Sequence, residues 1–269
     1  MMARLRVRSL LALAALLGSA ASARVSVGSP LFVSATAAPG ETIKGTLLLQ
    51  NTASTPARAR LYLTDYRFSP EGGRQFDAPG SHPRSSGPWV SLGQEVVVVP
   101  ANGTLEVPYT IHVPERVAQT GSYWNLVMVE PVDENDALVS GALPSGMTFK
   151  QVTRYAVQLL TNVGADAKPV VAFKNPVINK STAGKPLLNV TLENTGTQYV
   201  ALNVYAEVYA AGKLVRRVDV EGSRLYPGTS EREAIELPLT EVGDYQILVV
   251  ADGGENKLFG VRYNLNIPK

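Results

Sequence analysis

The sequence predicts an all-β chain, two immunoglobulin-like β-sandwich domains in tandem after a cleaved signal peptide. Two observations carry the prediction. Apolar residues alternate with polar ones over several stretches of about ten residues, the period of a strand with one buried face. The two halves also repeat each other's turn and strand signals in the same order, while no stretch beyond the N-terminal segment keeps a 3.6-residue apolar period.

Residues Met1 to Ala23 read as the export signal. Arg4, Arg6 and Arg8 form a basic start, Leu10 to Leu17 an apolar run, and Ala21-Ser22-Ala23 a small-x-small cleavage site. The apolar run is far shorter than the roughly 20 residues a bilayer span requires. Of 25 basic residues the segment removes three arginines, leaving 22 against 23 acidic ones. A near-neutral mature chain argues against a nucleic-acid surface. The expected location is the periplasm, the cell surface or the medium. The chain has no cysteine, which excludes disulfides, thiolate metal sites and a cysteine nucleophile. Packing alone must hold the fold, and sandwiches of about 100 residues bury enough core for that.

The strands follow in order. Leu105, Val107, Tyr109, Ile111 and Val113 alternate with polar residues and with Pro108, which cannot donate to a ladder and suggests an edge or bulge there. Val200 to Val208 and Phe259 to Ile267 alternate in the same way. Leu49-Gln50-Asn51-Thr52 is echoed by Leu192-Glu193-Asn194-Thr195, and Gly121-Ser122-Tyr123 by Gly243-Asp244-Tyr245. A tyrosine opening a late strand is what a sandwich uses for its tyrosine corner. The expected domains are 24–166 and 167–269, divided near Gly164 to Pro169. The first carries an insertion, 69–88, rich in Gly, Pro, Ser and Arg, read as a solvated loop or, alternatively, a binding loop.

Several segments together resemble the periplasmic pilus-chaperone (PapD-like) superfamily, and more loosely the WxL-interacting cell-surface proteins. They are Leu31 to Ser34, Pro39-Gly40-Glu41, Gly45 to Thr52, the block Gly121 to Pro131 and the long alternating strand Phe149 to Asn162. The resemblance implies a non-enzymatic exported chaperone or assembly factor. It would bind another exported protein, a surface or pilin-like subunit, by β-strand addition through the last strand of its first domain. The matching residues are Arg154, Tyr155, Val157, Gln158 and Leu159, with Tyr155, Val157 and Leu159 on one face. Such chaperones also hold the partner's terminal carboxylate between two cleft basic residues. Here Gln158 stands where the last-strand lysine belongs, Arg154 is a displaced substitute, and the first strand offers only Arg24.

Other features carry less. Asp133-Glu134-Asn135-Asp136 has oxygen ligands but no EF-hand spacing and reads as a solvated hairpin. His82 and His112 belong to no recognisable nucleophile–base motif; a hydrolase would require one of them beside a serine and a carboxylate in a cleft. Trp89, at the end of the insertion, is a candidate exposed platform for a sugar or peptide, so an adhesin or scaffold binding glycan or a surface protein through the insertion is the alternative function. No catalytic residue, metal ligand or cofactor is expected.

Overall fold

The computed structural model describes residues 25–132 and 153–268. The proposed signal segment, Arg24, the acidic stretch 133–136 and the start of the Phe149 strand lie outside them. The first half contains β1 (Val25–Val27), β2 (Phe32–Ala37), β3 (Thr42–Asn51), β4 (Ala57–Ser69), β5 (Gly73–Asp77), β6 (Val90–Leu92), β7 (Val96–Val99), β8 (Gly103–His112), β9 (Gly121–Val132) and β10 (Tyr155–Val163). One sheet runs β1-β3-β8-β6; the facing one runs β2-β10-β9-β4-β5, with β7 also on β4. The alternation in β8 points Val107, Tyr109 and Ile111 inward, where they join Leu47, Leu49, Val127 and Val129 in the core. β6 pairs β8 only over Tyr109 to Ile111, so the ladder on that side is open at Pro108. The proline sits where its missing donor costs nothing.

The insertion is exposed over much of 71–81, but parts of it are built into the sheets. Residues 73–77 return along β4 as a hairpin strand. β4 pairs with β9 only as far as Thr64, and beyond it Arg84 to Ser86 take the vacated place. The Trp124 amide donates to the Arg84 carbonyl at 3.1 Å, and the Ser86 amide to the Trp124 carbonyl at 3.1 Å. Asp65, fully buried at the point of divergence, pins the segment by accepting bonds from the Ser81 amide (2.8 Å), the Ser81 hydroxyl (3.0 Å) and the Ser85 hydroxyl (2.6 Å). A buried carboxylate is tolerable when its lone pairs are satisfied this way.

The second half contains β11 (Val171–Lys180), β12 (Pro186–Asn194), β13 (Val200–Ala210), β14 (Lys213–Asp219), β15 (Ser223–Leu225), β16 (Ser230–Glu236), β17 (Gly243–Asp252) and β18 (Leu258–Ile267). Its sheets run β11-β12-β16 and β14-β13-β17-β18, with β15 on β13. Leu188, Val190, Leu192, Val204, Val208, Ile247 and Val249 fill the space between them. Edge strand β11 is broken by a bulge between Lys174 and Val177 that holds Pro176, a device that blunts an open edge.

The echoes between the halves are structural. Asn51 ends β3 and its amide donates to the carbonyls of Thr55, Val99 and Pro100, at 2.9, 3.2 and 3.1 Å. Asn194 ends β12 and donates to Gln198 and Leu225 at 2.7 and 3.2 Å. Both are buried, and both accept a backbone amide two residues on. Tyr123 donates to the Gln119 carbonyl at 2.6 Å and Tyr245 to the Glu241 carbonyl at 3.2 Å, two tyrosine corners with the same four-residue reach.

Candidate functional site: the cleft between the sandwiches

The two sandwiches meet through hydrogen bonds and an aromatic cluster. The Ser122 amide donates to the Thr197 carbonyl at 2.9 Å. The Ser122 hydroxyl accepts the Tyr199 amide at 2.8 Å and donates to Asn162 at 2.6 Å. Gly121, with φ +126°, has its missing Cβ 1.9 Å from the Thr197 carbonyl oxygen, so only glycine fits this approach. Tyr226, from the second half, stacks on Trp124 at 4.6 Å with an interplanar angle of 26°. Its hydroxyl donates to Gln158 at 2.5 Å. Phe32 meets Tyr199 at 5.4 Å. Burial pushes the Tyr226 phenol far above its usual range, so it is a neutral donor.

Beside this joint opens a cleft of about 630 Å³. Tyr66, Phe68 and Tyr226 form its aromatic wall; Arg74 from the insertion, Arg224 and Arg232 contribute positive charge, and Glu221, Glu231 and Glu233 negative charge. Arg232 reaches Glu71 of the insertion at 3.6 Å. The insertion therefore lines the cleft with its hairpin while its later part lies in the sheet.

The proposed site residues separate. Gln158 lines the cleft. Arg154 does not: it pairs with Glu130 at 3.1 Å, four residues along the strand and roughly 13 Å away. Val157 and Leu159 are 0% and 1% exposed in the first core, so their side chains are packing residues and not an open partner face. Tyr155 is half-buried against the same core. Trp89 turns inward, its ring 4.4 Å from that of Tyr123, and is no exposed platform. Sequence reasoning missed Tyr226, Arg74, Arg224, Ser223 and the three glutamates. Their one sequence signal is Glu231 and Glu233 at alternate, inward positions of β16, where Ile235 continues the apolar face.

Among the described residues, what remains open on β10 is backbone. The Gln158 amide donates to Leu31 at 2.8 Å, on the side where β2 pairs from Gln158 to Val163. Amide directions repeat every second residue along a strand, so the amide and carbonyl of Ala156 point to the same side. There they pass the end of β2, while Tyr155 to Val157 pair with β9 on the other side.

His82 does come beside serines and a carboxylate. Its Nε2 lies 3.8 Å from Asp65 and its ring 4.6 Å from the Trp124 ring. The Ser81 and Ser85 hydroxyls, however, donate to Asp65. Among the described residues no serine presents its proton to the imidazole, and His82, Ser85 and Asp65 are all buried. Burial holds the imidazole below its usual range, partly offset by Asp65. The group is a structural pin.

In sequence, the CARDB family model matches residues 170–257, within the second half. No curated protein matches the chain. In structure, a chain from the chaperone–tip adhesin complex of CFA/I fimbriae biogenesis is 9% identical with a TM-score of 0.51, covering 91% of this chain and 99% of that one. The class 5 fimbriae chaperone CfaA is 12% identical with a TM-score of 0.48, covering 91% and 100%. A chain of the CsuC–CsuE chaperone–tip adhesion subunit complex of Acinetobacter baumannii is 15% identical with a TM-score of 0.47, covering 88% and 97%. The chain has the PapD-like two-domain fold. No helix among the described residues is long and apolar enough to cross a membrane.

Proposed function

We propose that this chain is an exported, non-enzymatic binding protein, a chaperone or assembly factor that holds another surface or pilus-type protein by β-strand addition. The carrying observation is the backbone at the start of β10, where β2 stops at Gln158 and, among the described residues, nothing pairs with Ala156 on that side. An incoming strand would continue the sheet along β10, extend β2's line and run toward the cleft. Backbone hydrogen bonds supply the affinity in this mode and alternate side chains the selectivity. The aromatic and charged cleft at the end of that path supports the same reading, because it offers a place for the end of the added strand.

Ala156→Pro tests it. Proline removes the outward donor, while the amides that bond β9 belong to Tyr155 and Val157. A photo-crosslinker at Arg154, in cells that export the protein, should capture a β-rich exported partner; the added Ala156→Pro substitution should reduce that capture at least tenfold while the thermal midpoint stays within a few degrees. Undiminished capture overturns the proposal. Charged substitutions at Val157 or Leu159 would not test it, because both would unfold the first core.

A further inference from the structure

We propose that the glutamate-lined wall of the cleft is a receptor for a basic side chain, a lysine or arginine, of the bound partner. This deepens the partner-binding reading above and depends on it. The strand β16 is apolar on its inward side at Ile235 but acidic at Glu231 and Glu233, where it reaches the cleft. Glu233 is 7% exposed. One of its carboxylate oxygens accepts the Ser223 hydroxyl, whose oxygen also lies 3.2 Å from Glu231. Among the described residues, its other oxygen has no hydrogen bond and no lysine or arginine forms an ion pair with either glutamate.

A carboxylate largely withdrawn from water without a counter-ion is destabilised. Among the described residues, none of the three cleft arginines forms an ion pair with Glu233. Arg232 projects from the opposite face of β16 and pairs with Glu71, and Arg224 lies with its guanidinium 6.0 Å from the Phe32 ring. Burial, with Glu231 and Glu221 nearby, raises the Glu233 carboxyl above the usual carboxylate range, against the opposing Ser223 bond. A cation entering beside the glutamates would meet two carboxylates, with the half-buried Tyr66 ring in the same cleft wall. Both kinds of group attract ammonium and guanidinium ions.

The probe is the peptide acetyl-Gly-Lys-Gly-amide, titrated into the full-length protein and followed by amide chemical shifts, with its Nζ-acetylated form and acetyl-Gly-Glu-Gly-amide as controls. Saturable shifts at Ser223, Glu231 and Glu233 with the lysine peptide alone, weakened at least fivefold in Glu233→Gln, are expected. The substitution keeps size and hydrogen bonding and removes the buried charge, so the thermal midpoint should hold or rise; a purely structural ion would lower it. Glu231→Gln, on the more exposed residue, gives the same readout should Glu233→Gln fold poorly. Absence of saturation, equal binding by the acetylated peptide, preference for the glutamate peptide, or unchanged affinity in both variants overturns the proposal. Loss of crosslinking in Ala156→Pro is a separate result, so failure of the cation site and failure of strand addition can be told apart.

Discussion

At the scale of single residues, the fold depends on a few buried polar side chains that stitch loops to strand ends. Asn51 and Asn194 each satisfy backbone groups from two loops. Truncating either leaves buried carbonyls and amides unpartnered, so Asn194→Ala should cost about 3 kcal/mol in urea unfolding, and Asn51→Ala a similar amount. His82 sets a pH limit. Its pKa is lowered in the folded state, so the unfolded chain binds the proton more readily. Stability should therefore fall as pH drops below about 6.5. His82→Gln should flatten that slope between pH 5 and 7; an unchanged slope would place the titration elsewhere. Asn51, Asn194, Tyr123 and Tyr245 were legible because each acts within its own strand end or turn, where sequence order carries the geometry. Trp89 was not: it was read from its loop neighbour Pro88, whereas packing on Tyr123, 34 positions away, decides its direction.

At the scale of elements, β9 explains much of the first domain. Trp124, Leu126 and Met128 on one face and Tyr123, Val127 and Val129 on the other are all buried, so the strand is covered on both sides. Its continuous apolar run in the sequence records this. The segment Gly73 to Asp77 has no comparable pattern, its residues being mostly exposed, and its strand is set by pairing with β4. The long last strand was legible as a strand but not as a face: alternation shows that Val157 and Leu159 share a side, not which side the core occupies. Gly121 is the element-level weak point. Gly121→Ala forces a Cβ against the Thr197 carbonyl and should push the sandwiches apart at the joint. Small-angle scattering should show a larger radius of gyration, and the midpoint should fall by several degrees.

At the scale of the whole molecule, the joint is a second, smaller core made of rings. Trp124, Leu160 and Tyr226 are buried there, with Phe32, Tyr66, Phe68 and Tyr199 packed around them. It assembles residues from both halves of the sequence, and the cleft beside it does the same, which is why neither could be read before folding. Domains joined through such an interface unfold together only while it persists. Tyr226→Ala removes the ring and its bond to Gln158 and should cost about 3–5 kcal/mol; one calorimetric peak should resolve into two. The two tryptophans of the chain also divide the molecule optically. Trp124 lies at the joint, while Trp89 lies inside the first sandwich against Tyr123. The second sandwich has no indole of its own. Its unfolding is therefore dark to tryptophan emission except through Tyr226, so a change in Trp124 fluorescence would mark separation of the halves before either half has melted.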